Sequence, residues 1–157
     1  MRLPAAVARA GLCVAGFGAV LAILPISTGY ELLGLLHILS VIAAFGPLFI
    51  YPSMLRVGAG AEVAKWHLRL SFPALVLVWV FGMGLVGLSD EAFEMSDGWI
   101  VASLLLWVGL VAVSWFLIRP SLADTSERAR SMLSAGLGIT HLGLVVLLWL
   151  MVFKPGA

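Results

Sequence analysis

Apolar residues dominate five long runs of the chain, and short polar or turn-forming stretches separate these runs. A helix needs roughly 20 apolar residues to cross about 30 Å of hydrocarbon. The predicted membrane spans are 5–24, 31–54, 68–88, 99–118 and 132–153. Because every connection is short, successive helices should lie side by side and antiparallel. The pattern predicts a single-domain, all-α membrane protein: an up-and-down bundle of four core transmembrane helices with one extra N-terminal transmembrane helix.

Composition agrees with a bilayer as the surrounding medium. Of the 157 residues, 62% are hydrophobic and only 11% are charged, against roughly 25% charged in an average soluble domain. The mean hydropathy is +1.14. The nine basic residues are scattered among helix ends, so nucleic acid is excluded as a partner. A bundle of this size leaves no room for a soluble catalytic domain, and serine-hydrolase and phosphate-loop motifs are absent, so an enzymatic activity is the less favoured expectation.

The basic residues also predict the orientation, because Lys and Arg in short loops are retained on the cytoplasmic side. With the N-terminus inside, all the basic residues except Lys154 fall on the inner side. The loop 90–97 carries four acids and no base, which suits the outer side. Five spans with the N-terminus in and the C-terminus out satisfy both observations.

The first span carries a face of small residues at spacings of four, three and four: Gly11, Ala15, Gly18 and Ala22. Such a face lets another helix approach closely and predicts contact with the bundle or with a partner membrane subunit. Glycine and alanine are also common in membrane helices generally, which is the alternative explanation. A secretory signal is less favoured, since no small-x-small cleavage site follows Leu24.

In the other four spans, polar and small residues recur at helical spacing and predict the faces turned toward the protein interior. These stripes are Leu33, His37, Ser40, Ala44, Pro47 and Tyr51; then Ser71, Leu75, Val78 and Gly82; then Ser103, Trp107, Leu110 and Ser114; then Ser134, Gly138 and His141. A third histidine, His67, lies between Lys65 and Arg69 at the inner boundary, where a solvated side chain is expected.

His37 and His141 are the candidate functional residues, because an ionisable group inside hydrocarbon is costly unless it is paired or coordinated. Counted from the boundary aromatics Tyr30 and Trp149, they lie about 10 Å and about 12 Å deep. The two spans run in opposite directions, and nearly equal depth would let the two rings face one another across the bundle. Histidine is an axial ligand of haem iron, so haem b between His37 and His141 is the leading hypothesis, with a redox or haem-handling role. Its predicted pocket is lined by Ser40, Gly138 and Trp107.

Two alternatives remain open. Each histidine could instead hydrogen-bond a neighbouring helix, as in a non-catalytic accessory subunit of a larger membrane complex. A copper-handling protein is the third hypothesis, although two histidines make an incomplete copper site without partners such as Met83 or Met151.

The stretch LLHILSVIAAFGPLFIYP at 35–52 resembles the first helix of the CopD-like superfamily of small bacterial membrane proteins. That group is similar to the membrane domain of copper-resistance protein D and to HemJ-type protoporphyrinogen oxidase. The resemblance covers about residues 31–153 and implies a four-helix bundle in the bacterial inner membrane. For HemJ-like proteins it implies haem b in the bundle and a functional His37; His141 is not part of it. The chain has Tyr51-Pro52-Ser53 where HemJ has a Leu-Pro-Arg step, so porphyrinogen oxidation does not carry over.

Overall fold

The computed structural model describes residues 29–89 and 92–156. The predicted first span 5–24 and its small-residue face lie outside this part. Within it, four helical segments are long and apolar enough to cross a membrane, and no strand is formed. Large apolar side chains such as Ile42, Phe116 and Val152 are exposed on the bundle. Together these features confirm four predicted helices of transmembrane length and indicate a multi-pass membrane protein in contact with lipid.

The first segment is α1 (Gly29–Arg56). The second consists of α2 (Gly60–Trp66), a π-helical turn (His67–Ser71) and α3 (Phe72–Gly87). The third consists of α4 (Gly98–Val113), a π-helical turn (Ser114–Ile118) and α5 (Arg119–Leu122). The fourth is α6 (Glu127–Phe153). We call the two ends of the bundle the Tyr30 end and the Arg56 end.

Two connections are shorter than the sequence predicts. Only residues 57–59 separate α1 from α2, since Gly58 adopts a φ of +81° and turns the chain at once. The second connection comprises only residues 123–126, between α5 and α6. The helix α6 begins at Glu127 because the hydroxyl of Ser126 accepts a hydrogen bond from the backbone amide of Ala129 at 3.2 Å, a standard N-cap. Both segments therefore extend beyond the predicted spans toward the Arg56 end.

Glycines bring the helices together in two antiparallel pairs. α1 packs on α3, where a Cβ at Gly84 would lie 2.9 Å from Leu33. α4 packs on α6, where a Cβ at Gly143 would lie 2.7 Å from Leu110. The paired helices can approach this closely only because Gly84 and Gly143 have no side chain.

The interior face of α6 differs from the predicted stripe. Ser134 and Gly138 are exposed, and the buried residues are offset from them: Leu133, Gly136, Leu137, Thr140, Gly143, Leu147 and Leu150. In a lipid-facing helix that is apolar all round, hydrophobic contrast does not mark the inner side. Small residues occur on both faces of α6, so the predicted face was wrong.

Candidate functional site

The imidazole of His37 is held by the neighbouring helix α3. Its Nδ1 lies 2.9 Å from the carbonyl oxygen of Val78. A carbonyl can only accept, so Nδ1 carries the proton and donates it, and in the neutral ring Nε2 keeps its lone pair. Nε2 makes no hydrogen bond to any described residue. Gly82 leaves the space for the ring, because a Cβ there would lie 3.1 Å from Cε1 of His37.

His37 lines a lateral groove of about 660 Å³ that opens between the α1–α3 pair and the α4–α6 pair. This volume is within the range of about 300–1,000 Å³ typical of small-molecule sites. The walls are almost entirely apolar and aromatic. The lining residues include His37, Trp79, Gly82, Met83, Phe93, Trp99, Trp107, Met151 and Lys154.

Two tryptophans form one wall of the lateral groove. The rings of Trp79 and Trp107 stack with centroids 5.8 Å apart and planes 21° apart. The indole nitrogen of Trp107 donates to the carbonyl oxygen of Leu75 at 2.9 Å, which fixes the ring. The wall is therefore aromatic, and it lines the same groove as the His37 imidazole.

A single cation stands at the Tyr30 end of the lateral groove among the described lining residues. The amine of Lys154 lies 4.4 Å from the ring centroid of Phe93 and 5.8 Å from that of Trp99. Lys154 has a left-handed backbone conformation with φ +42° and ends α6. The groove thus combines an apolar body with one positive group at its end, as an amphipathic acidic ligand would require.

The structure does not bring His141 to His37. The His141 ring stacks on Phe49 with centroids 4.2 Å apart, and Phe49 follows His37 by twelve residues, about 18 Å of helical rise. His141 does not line the lateral groove, and its buried Nε2 makes no hydrogen bond to the described residues. Two nitrogens that share one metal each lie about 2 Å from it. The two imidazoles are too far apart along the bundle for that arrangement.

Of the three predicted pocket residues, only Trp107 lines the lateral groove. Ser40 is buried elsewhere, and its hydroxyl donates to the carbonyl of Leu36 at 2.8 Å, one turn earlier in α1. Gly138 is exposed, and a Cβ there would meet nothing within 4 Å. In the described part of the chain, no three His, Cys, Asp or Glu side chains are grouped to hold a metal ion.

A second polar centre, which we call the His67 cluster, lies toward the Arg56 end and was not predicted. Its members come from all four segments: Tyr51, His67, Ser71, Ser114 and Thr140. His67 is 1% exposed, so the expectation of a solvated side chain was wrong. The helix begins at Gly60, ahead of the predicted span, and the π-helical turn shifts the register, which together carry His67 into the interior. The spacing of Ser71, four residues after His67, was the available sequence signal.

Comparisons with protein-family models, with curated proteins and with solved structures found no match to this chain.

Proposed function

We propose that this protein is a membrane-embedded haem-binding protein that holds haem b in the lateral groove through Nε2 of His37, with a role in electron transfer or haem handling. The observation that carries the proposal is the fixed His37 ring, whose Nδ1 donates to the Val78 carbonyl. Metal-ligating histidines commonly donate their other ring N–H to a backbone carbonyl, which sets the tautomer and the ring direction.

The donor set favours a haem iron over a free metal ion. A free metal ion needs several protein ligands. The haem macrocycle already supplies four nitrogen ligands to its iron, so the protein needs to supply only one or two more ligands. His37 supplies one donor. The thioethers of Met83 and Met151 also line the lateral groove, and either would supply a further ligand of a kind that some haem proteins use.

The shape and polarity of the lateral groove also suit haem. The stacked Trp79 and Trp107 rings offer a flat apolar wall for a flat apolar macrocycle. Haem carries carboxylate groups on one edge, and Lys154 stands at the end of the groove to attract them. In this arrangement His37 ligates, Lys154 orients, and the aromatic wall excludes water. The bound haem would supply one-electron chemistry.

Haem titration of the purified protein in detergent micelles tests the proposal. The wild type should bind haem stoichiometrically, with a sharp shift of the Soret band. His37→Ala should weaken binding by at least about tenfold, the size expected for loss of a metal ligand or its support.

His141→Ala is the matched control, because His141 is also a histidine inside an apolar helix but does not line the lateral groove. It should bind haem as the wild type does. A wild type without haem affinity, or equal losses in both variants, would refute the proposal and favour an accessory subunit.

A further inference from the structure

Two hydrogen-bonded pairs lie side by side in the His67 cluster. The hydroxyl of Tyr51 lies 3.0 Å from Oγ of Ser71, and Oγ of Ser114 lies 3.1 Å from Nε2 of His67. Tyr51 is fully buried, and the two serines are 2% and 5% exposed. The Tyr51 and His67 rings meet edge to face, with centroids 6.1 Å apart. Within the part of the chain that the structure describes, no hydrogen bond joins one pair directly to the other.

A small internal cavity of about 10 Å³ adjoins both pairs. His67, Ser71, Ser114 and Thr140 contribute to its lining, and apolar residues complete it: Ala44, Phe45, Leu48, Leu75 and Leu110. A volume of about 10–15 Å³ by this measure is the least that holds one water molecule, and a buried water needs two to four polar partners. The cavity meets the volume requirement and has four polar residues around it.

Nδ1 of His67 is the atom of this cluster that needs a hydrogen-bond partner. It is buried and makes no hydrogen bond within residues 29–89 and 92–156. If Ser114 donates to Nε2, Nδ1 carries the proton of the neutral ring and needs an acceptor. If Nε2 donates to Ser114, Nδ1 has a free lone pair and needs a donor. Water serves in either case, because it both donates and accepts.

The two π-helical turns explain why the polar groups meet here. His67 is the first residue of one turn, and Ser114 is the first residue of the other. Single π-helical turns are rare and are frequent at functional sites. Each adds a residue to its turn and so changes the helical register, and both polar side chains are buried, at 1% and 5% exposure. The Ser114–His67 hydrogen bond links the two π-helical turns, so the regular α-helical geometry of both segments is interrupted at this polar centre.

We propose that the cavity binds one water molecule, which hydrogen-bonds to Nδ1 of His67 and joins the Tyr51–Ser71 pair to the His67–Ser114 pair. The result is one hydrogen-bonded network through three of the four helical segments, in which a phenol and an imidazole are linked inside the membrane region. Thr140 of the fourth segment lines the same cavity. This hydration site is independent of the lateral groove and of haem.

Histidine-selective ¹⁵N solid-state NMR of the protein in lipid bilayers is the direct test. The His67 signal, assigned by its absence from His67→Phe, should show magnetisation transfer from water and a hydrogen-bonded Nδ1. A His67 signal without water transfer in the wild type would overturn the proposal.

Ala44→Val gives a second, thermodynamic test, because the two methyl groups of the valine would fill the cavity that Ala44 lines. Ala44→Val should expel the water, abolish the transfer signal and raise the unfolding equilibrium constant about tenfold, as expected for an unpaired buried polar group. In the His67→Phe background the same substitution should change that constant less than about twofold. Ala43→Val is the control, because Ala43 packs against the same core but does not line the cavity. A dry cavity would give equal effects of Ala44→Val in both backgrounds.

Discussion

The imidazole of His37 donates to the backbone carbonyl of Val78 over 2.9 Å, and this hydrogen bond links α1 to α3 across 41 residues of sequence. Gly82 is four residues beyond Val78, on the same face of α3. Because Gly82 has no side chain, the carbonyl of Val78 stays open to the ring. The hydrogen bond fixes which nitrogen of His37 remains available to a ligand.

Gly82→Ala should disturb this arrangement. The new Cβ would lie 3.1 Å from Cε1 and 3.3 Å from Nδ1 of His37 and would push the ring away from Val78. Haem affinity should fall about tenfold, the lower end of the range for loss of a supporting hydrogen bond at a metal ligand. Haem titration measures this change. Gly87→Ala, at an exposed position of α3 with open space around it, should bind as the wild type does.

Lys154→Gln should weaken haem binding two- to fivefold, roughly the contribution of a partly exposed charge pair. The reason is the loss of the cation at the end of the lateral groove. Haem dimethyl ester, which has no free carboxylates, should bind the variant and the wild type equally well. An equal loss for both ligands would show that Lys154 acts through packing on Phe93 and not through its charge.

Gly143→Ala should destabilise the α4–α6 pair. A Cβ at Gly143 would lie 2.7 Å from Cδ2 of Leu110, which is itself 1% exposed and has little room to move. Overpacking of this kind costs about 1–3 kcal/mol of unfolding free energy, measurable by denaturation in mixed micelles. Gly138→Ala on the same helix has open space and should be neutral or slightly stabilising. Equal stabilities of the two variants would contradict the packing of α4 on α6.

The connection between α5 and α6 should contribute a pH-dependent part of the stability. The backbone amide of Ser126, and then its hydroxyl, donate to Asp124 and lower the pKa of that carboxyl below its ordinary value of 3.8. A lowered folded-state pKa means that the stabilisation is present above the unfolded pKa and is lost as pH falls through the folded one.

Unfolding followed between about pH 5 and pH 2 should therefore show a smaller loss of stability in Asp124→Asn than in the wild type. A wild type and an Asp124→Asn variant with identical pH profiles would exclude this contribution.

The hydrophobic pattern predicted the four described spans and the interior face of α1, where Ser40, Ala44 and Tyr51 are all buried. That face was readable because a mixed polar and small stripe contrasts with bulky apolar residues around it. α6 offers no such contrast, and its predicted stripe through Gly138 was about one residue away from the buried one.

The predicted depths of His37 and His141 assumed that Tyr30 and Trp149 mark the ends of their helices. α6 continues past Trp149 to Phe153, so the boundary aromatic did not mark the helix end. Helix register between α1 and α6 is set by packing, as the stacking of His141 on Phe49 shows. His67 was missed for a related reason: a π-helical turn adds a residue without leaving a recognisable pattern in the sequence.

Chemical rescue of His37→Gly with imidazole tests ligation by His37 most directly. The absorption spectrum of the variant, purified in micelles and supplied with haem, should lack the Soret band of the wild type. Millimolar imidazole should restore that band, because the free base can occupy the vacated space beside Gly82 and supply the missing nitrogen. A His37→Gly protein that keeps the wild-type Soret band without imidazole would contradict the account.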